Sequence, residues 1–250
     1  MPSWIGQSIS RGIVTSRYPK VPASEDEVPI SGRPPVLDAG VPEAAIPPSL
    51  CPVAAIADGQ VDQGRCVRCA RCIPAGLRFA GAVEASTRSR EALAVPSAAA
   101  QADTDAPPPL PGFGRSLHVF LVDVGSCNAC NLEVLGLANP YYDLQRLGIF
   151  FTNSPRHADV LVVVGVPTRA MVVPLRRAYE ALPEPKAVVA VGACPISGGV
   201  FAGTPGLLPG LAEVVPVDVF VPGCPPTPVQ ILDGLLRVTG RVRGTSRGAP

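Results

Sequence analysis

Eight cysteines hold most of the chemistry available to this 250-residue chain. Three of them form Cys66-Val-Arg-Cys69-Ala-Arg-Cys72. This C-x2-C-x2-C spacing folds three thiolates around one cubane iron–sulfur cluster and is uncommon in zinc sites, which favour pairs. A four-cysteine zinc site and a disulfide knot are the alternatives. Cys127-Asn-Ala-Cys130 is less specific, because C-x2-C serves zinc, redox disulfides and clusters alike. Two more cysteines exceed what a thioredoxin-type site needs: Cys194 in Val191-Gly-Ala-Cys-Pro-Ile-Ser-Gly-Gly199 and Cys224 in Val221-Pro-Gly-Cys-Pro-Pro-Thr-Pro228. Each sits beside Gly and Pro, whose irregular backbone can aim amides at cluster sulfurs and tune their potential. The start Met1-Pro2-Ser3-Trp4-Ile5-Gly6 lacks the pattern of a secretory signal. A reducing cytoplasm is therefore expected, and with it thiolate ligands in preference to disulfides.

The elements that must position these thiols follow from apolar patterning. Four Val-rich runs, 117–124, 159–166, 186–191 and 217–221, read as strands buried on both faces. Helix-like stretches lie among them at 131–138, 142–147, 169–182 and 227–238. The alternation predicts a flavodoxin-like, doubly wound α/β domain with a mainly parallel sheet, in which functional groups collect beyond the carboxyl ends of the strands. Cys127 and Cys130 follow the first run, Cys194 the third and Cys224 the fourth. Four thiols from distant sequence are thus expected at one sheet edge. The chain has 31 prolines, many of them in 21–52 and 96–111. The Pro- and Ala-rich stretch 97–111 separates the two groups of four cysteines. The expected division is an extended or helical segment 1–50, a small cluster module 51–95, a linker 96–115 and an α/β iron–sulfur domain 116–250. The linker predicts that the two cysteine regions fold separately. Trp4, Ile5, Ile9 and Ile13 are spaced to share a short helix face, expected to pack on this chain's own core unless it docks on a partner.

Two resemblances sharpen the reading. The run Cys66–Cys72 resembles bacterial ferredoxins, in which the fourth ligand comes from the other half-motif and is followed by proline. The resemblance implies Cys51, which precedes Pro52, as that ligand, and a small ferredoxin-like α+β module as its fold. The other cluster of a two-cluster ferredoxin would need cysteines at 41, 44, 47 and 76, which are Val41, Ala44, Pro47 and Gly76. A single-cluster module is implied.

Further along, several blocks resemble the small subunit of energy-converting, group 4 [NiFe] hydrogenases and the complex I subunit that carries its terminal cluster. They run from Asp123-Val-Gly-Ser-Cys-Asn-Ala-Cys-Asn-Leu-Glu133 through Tyr142-Asp-Leu-Gln-Arg146, Ser154-Pro-Arg-His-Ala-Asp159 and Gly192-Ala-Cys194 to Pro216-Val-Asp-Val-Phe-Val-Pro-Gly-Cys-Pro-Pro226. Complex I subunits have adjacent cysteines at the first site. The C-x2-C followed by Glu133 here is similar to the hydrogenases. The N-terminal half, with Gly12-Ile-Val-Thr15, Arg17-Tyr-Pro19 and Ser31-Gly-Arg-Pro34, resembles the ferredoxin-like subunit of the same complexes, so the chain looks like a fusion of two electron carriers.

The resemblance implies two 4Fe-4S clusters, one on Cys51, Cys66, Cys69 and Cys72 and one on Cys127, Cys130, Cys194 and Cys224. It implies no catalytic residue on this chain beyond Glu133 as a proton relay. A helix-start Glu, however, is favourable without any function. The implied role is electron relay to or from a large [NiFe]-type catalytic subunit, with integral membrane ion-translocating subunits and a further ferredoxin or dehydrogenase subunit as partners. The expected location is the cytoplasmic side of the cell membrane, held peripherally. A complex I-like quinone oxidoreductase subunit and a zinc-stabilised scaffold protein are the alternatives.

Other features exclude more than they suggest. With 21 basic and 20 acidic residues the net charge is +1, so there is no footprint for nucleic acid or anionic lipid. The longest uncharged stretch, 187–212, is broken by Gly and Pro, and no membrane span is expected. A mean hydropathy of +0.30 points to apolar surface covered by other subunits. A phosphate loop starting at Gly192 would need glycine at 197, which is Ser197. His118, inside a strand run, is expected to be packed or hydrogen-bonded, and the family resemblance implies that His157 lies near a partner. Arg65, Arg68 and Arg71 flank the first cysteine run, where they can offset cluster charge or meet a donor protein.

Overall fold

A computed structural model describes residues 4–12, 14–24, 27–29, 32–37, 46–57, 60–79, 85–96, 112–113 and 116–241. The chain opens with helix α1 (Trp4–Arg11) and strand β1 (Pro35–Leu37), then β2 (Ile56–Ala57), β3 (Gln60–Asp62), β4 (Leu77–Phe79) and β5 (Ala94–Pro96). The larger half follows as β6 (Leu117–Asp123), α2 (Ala129–Gly136), β7 (Ile149–Phe151), β8 (Val160–Val164), α3 (Val172–Ala181), β9 (Ala187–Val191), α4 (Ala193–Ser197), β10 (Val219–Val221) and α5 (Pro228–Val238).

In the larger half five strands form one sheet in the order β10-β9-β8-β6-β7, with every pairing parallel. Counted along the domain this is the flavodoxin-like order 2-1-3-4-5. The Val runs explain it. Val160, Val162 and Val164 of β8 and Ala187, Val189 and Val191 of β9 face one apolar cluster, shared with Val134 of α2 and Val229, Ile231, Leu232, Leu235 and Leu236 of α5. The alternate residues Leu161, Val163, Val188 and Ala190 face a second cluster, shared with Leu175 of α3 and Ile196 of α4. With both faces covered, every position of β8 and β9 is buried, which is why these strands read as continuous apolar runs.

The structure adds to and trims the sequence reading. Strand β7, which edges the sheet, lies outside the four expected runs. Its three residues Ile149, Phe150 and Phe151 are too short to show a pattern. The expected helix 142–147 is a 3-10 turn at Leu144–Leu147, opened and closed by left-handed residues at Asp143 and Gly148. Helix α2 begins two residues earlier than expected, so that Cys130 lies inside it.

The first half is built of short antiparallel pieces. β2, β3 and β5 form a three-stranded sheet, and β1 pairs with β4. Ile46, Ile56, Val61 and Leu77 make a small core, against which Leu50, Cys51, Cys72 and Ile73 pack. The 97–111 linker lies outside the described residues. On α1, Ile5 and Ile9 stand 52% and 78% exposed, so that face is not packed on this chain's core, and Ile13 lies outside the described residues.

The two halves meet over a polar and apolar seam. Thr87 and Phe220 exchange backbone hydrogen bonds of 2.9 and 2.8 Å, continuing the sheet past β10. Leu93 enters the second apolar cluster of the α/β sheet. On α5 the buried Asp233 accepts from Tyr18 Oη at 2.8 Å, from Ser86 Oγ and from Arg237 Nε at 3.0 Å. Asp233→Ala strips a buried carboxylate from all three and is expected to cost about 3 kcal/mol. A urea midpoint clearly below wild type checks this, and an unchanged midpoint would mean the seam contributes nothing to stability.

Candidate metal centre

Each cysteine of the second set is placed by the end of a parallel strand. From β6 the chain turns through Gly125 and Ser126 to Cys127, and after the left-handed Asn128 it enters α2, which carries Cys130. From β9 it passes Gly192 into α4, which carries Cys194, and from β10 it passes Pro222 and Gly223 to Cys224. Backbone bonds lash the last two loops together: Gly192 N donates to Val221 O at 2.8 Å and Ala193 N to Gly223 O at 2.7 Å. Gly192 sits at φ +98°, and a Cβ there would stand 2.7 Å from Cys130 Sγ. Only glycine meets both demands.

The loop that carries Cys127 is organised by Asp123. Its carboxylate accepts from Gly125 N (2.9 Å), Ser126 N (2.8 Å), Ser126 Oγ (2.6 Å) and Asn131 Nδ2 (2.6 Å). Burial alone would raise this carboxyl, but the Ser126, Gly125 and Asn131 donors together hold it below its usual value.

Cys130 and Cys194 are buried, Cys224 is half-buried and Cys127 is exposed, and all eight cysteines are free. Burial pushes the Cys130 thiol up to about 12, and negative charge on Cys194, Cys224, Cys127 and Glu133 pushes in the same direction. Cys194 is raised to about 11, again by burial, with Cys224 and Cys127 next. Cys224 is raised by burial and by Cys127, while Arg68 lowers it. Burial is thus the chief influence on the raised thiols, and the other thiols of the set come next. Ionising them together without a cation is unfavourable, and a bound metal would supply that cation.

The first set is gathered in the smaller half. Burial pushes Cys66 up to about 11, the Arg68 N–H and charge lower it, and Cys72 and Cys51 raise it. Burial also raises Cys72, helped by Cys69 and Cys51. Backbone amides point at the sulfurs, as cluster sites require: Ala55 N lies 3.2 Å from Cys51 Sγ and Arg68 N 3.4 Å from Cys66 Sγ. Among the described residues no group of three or more His, Cys, Asp or Glu side chains is arranged to hold a single metal ion. A cubane spreads four thiolates over four irons, so it asks for a wider ring of sulfurs than zinc does. The donor chemistry, the amides aimed at sulfur and the Cys130 cradle against Gly192 fit such a group.

Residues 127–238 match the family described as NADH ubiquinone oxidoreductase, 20 Kd subunit. Over 124 residues, half of this chain and 74% of the relative, the sequence is 47% identical to a probable membrane-bound hydrogenase subunit, mbhJ, of Pyrococcus furiosus. The chain belongs to the 20 kDa subunit family of NADH ubiquinone oxidoreductase. Formate hydrogenlyase subunit 7 of Escherichia coli is 44% identical over 126 residues, covering 50% of this chain and 49% of that one. A solved structure of a membrane-bound sulfane sulfur reductase, an archaeal respiratory membrane complex, aligns at 31% identity over 54% of this chain and 74% of that chain, with a TM-score of 0.46. The matched family span holds the second cysteine set and leaves the first outside it.

The remaining candidates are placed as follows. Glu133 lies on α2, half-buried, with its carboxyl raised by burial. His118 Nδ1 lies 3.3 Å from Asp159 Oδ2 and its ring stacks on Phe150 at 5.6 Å, a hydrogen-bonded and packed histidine. His157 is exposed in a 3-10 turn, Pro155–His157. Arg65 pairs with Asp62 at 3.4 Å and Arg71 is exposed. The Asp123 network was missed in the sequence, although Asp followed by Gly and Ser at the end of an apolar run is a turn signal that could have found it.

Replacing Asp123 with alanine removes the four acceptor contacts of this loop and should cost about 1 kcal/mol at neutral pH. A carboxyl whose folded pKa is depressed contributes stability that is fully present above its unfolded value and fades as pH falls through the folded one. The wild-type advantage should therefore be constant from about pH 5 upward and shrink below about pH 4. Urea midpoints of both proteins at pH 7 and pH 3 measure it, and an equal gap at the two pH values would contradict the assignment.

Proposed function

We propose that this chain is an iron–sulfur electron-transfer subunit of a membrane-associated hydrogenase-type complex. The observation that carries the reading is the convergence of Cys127, Cys130, Cys194 and Cys224 from three parallel strand ends onto one edge. On this reading those four thiolates hold one 4Fe-4S cluster, and Cys51, Cys66, Cys69 and Cys72 hold another. When bound, such a group supplies one-electron transfer, at a potential set by hydrogen bonds and burial. The protein's part is to exclude water around Cys130 and Cys194, to aim the Ala55 and Arg68 amides at sulfur, and to keep the Asp123-ordered loop in register.

The catalytic metal belongs to a large partner subunit on this reading, with Glu133 as a proton relay on this side. Leu132 and Leu135 of α2, 61% and 58% exposed just after the Cys127–Cys130 loop, are apolar enough to be covered by that subunit. Val124 is fully buried in the sheet core and takes no part in such a face. Among the described residues no helix is long and apolar enough to cross a membrane, so ion-translocating subunits would tether the chain peripherally. The C-x2-C spacing, unlike the adjacent cysteines of complex I subunits, favours hydrogenase over quinone chemistry.

Anaerobically prepared protein should contain about eight irons and as many sulfides per chain, for two cubanes. A value near four irons would remove one cluster from the reading, and stoichiometric zinc would remove both. The complex purified through this chain from membranes should contain nickel. An intact complex with quinone reductase activity and no nickel would replace the hydrogenase with its complex I-like relative.

A further inference from the structure

One cation stands between the two cysteine sets. Arg68 lies inside the first run at φ +53°, a left-handed backbone in which its N–H meets Cys66 Sγ while its side chain leaves the small module. The guanidinium ends against the α/β half. Nη1 donates to the Gly32 carbonyl and, at 3.3 Å, to Gln230 Oε1, and Nη2 donates to the Pro222 carbonyl at 3.1 Å. Pro222 opens the loop that carries Cys224, and Gln230 sits in the first turn of α5 with its own Oε1 held by Thr227 N at 3.1 Å. Gln230 Nε2 donates to the same Gly32 carbonyl at 3.1 Å, which closes a triangle around the guanidinium.

All of these acceptors are neutral, and among the described residues no carboxylate pairs with Arg68. A guanidinium stays charged at neutral pH. Its backbone N–H meets Cys66 Sγ of one set, and its Nη2 holds the Pro222 carbonyl two residues before Cys224 of the other. A partly buried cation with no carboxylate to neutralise it keeps much of its field for whatever anion is nearest. Here two anionic sites share it.

We propose that Arg68 is a positioning residue whose single charge is shared by both cluster sites, stabilising the reduced form of each and fixing the Cys224 loop against the Cys66 run. The inference rests on the electron-transfer reading above. Reduction of either site adds one negative charge beside the same cation, so Arg68 raises both potentials together. Transfer between the sites moves one electron, oxidising one as it reduces the other, and Arg68 keeps its charge throughout. A local role in the first module alone would affect only the potential of that module, and a purely structural role would leave both potentials unchanged.

The test is an anaerobic redox titration of the full-length, cluster-loaded protein, followed by EPR, with the signals assigned by Cys66→Ser and Cys224→Ser. Arg68→Gln should lower the midpoint potentials of both signals, and Arg68→Lys, which keeps the charge, should return both towards wild type. Gln230→Glu touches neither cysteine run and sets a carboxylate against the guanidinium. It should lower both potentials as well, which keeps the test decisive if Arg68→Gln does not accumulate. A shift in the first site alone, or in neither, overturns the shared-cation role. A wild-type protein with no reducible cluster overturns the electron-transfer reading itself, an outcome recorded before any variant is compared.

Discussion

The parallel sheet is the constraint on which the rest depends. Because every pairing in the five-stranded sheet is parallel, each crossover returns the chain to the same edge, and all the strand ends point one way. Cysteines nearly a hundred residues apart in sequence become neighbours with no dedicated loop to carry them. The cost is electrostatic: burial raises the resistance of Cys130, Cys194 and Cys224 to ionising, and negative charge on neighbouring thiols adds to it. The buried thiols of this edge thus favour their neutral form, and a bound metal would be needed to displace their protons.

What the sequence reveals of this arrangement follows from which interactions are local. The buried strands announce themselves because two-sided burial leaves no polar residue in Val160–Val164 or Ala187–Val191. The cysteines after β6, β9 and β10 are readable for the same reason, since a strand end fixes where the next few residues must be. Strand β7 is not readable, because three residues at the edge of a sheet carry neither alternation nor length. The role of Arg68 is hidden more deeply. Its acceptors lie 36, 154 and 162 residues away in sequence, and two of them are backbone carbonyls that any residue would present. Gly192 falls between these cases: its glycine is visible, but the sulfur that forbids a Cβ comes from another strand end.

The smaller half is shaped by short turns: Pro47 leads into the 3-10 turn Pro48–Leu50, and Gly76 closes another at φ +103°. Around these positions Ile46, Leu50, Ile73 and Leu77 pack as a modest apolar core. A piece of chain this short buries little on its own. It leans instead on the α/β half through Leu93, Ser86 and Arg68, so its thiols take their bearings from the larger sheet.

The backbone exchange between Thr87 and Phe220 has a consequence of a different kind. β10 ends the parallel sheet and would otherwise offer a row of unpaired amides and carbonyls, the template on which strands of separate molecules add. At Phe220 that row is met by the molecule's own earlier segment. Because the cover is part of the same polypeptide, its effective concentration at the edge does not fall on dilution or during assembly, as that of a separate subunit would. The joining of the smaller half to the α/β half in one chain thus also guards the sheet against self-association.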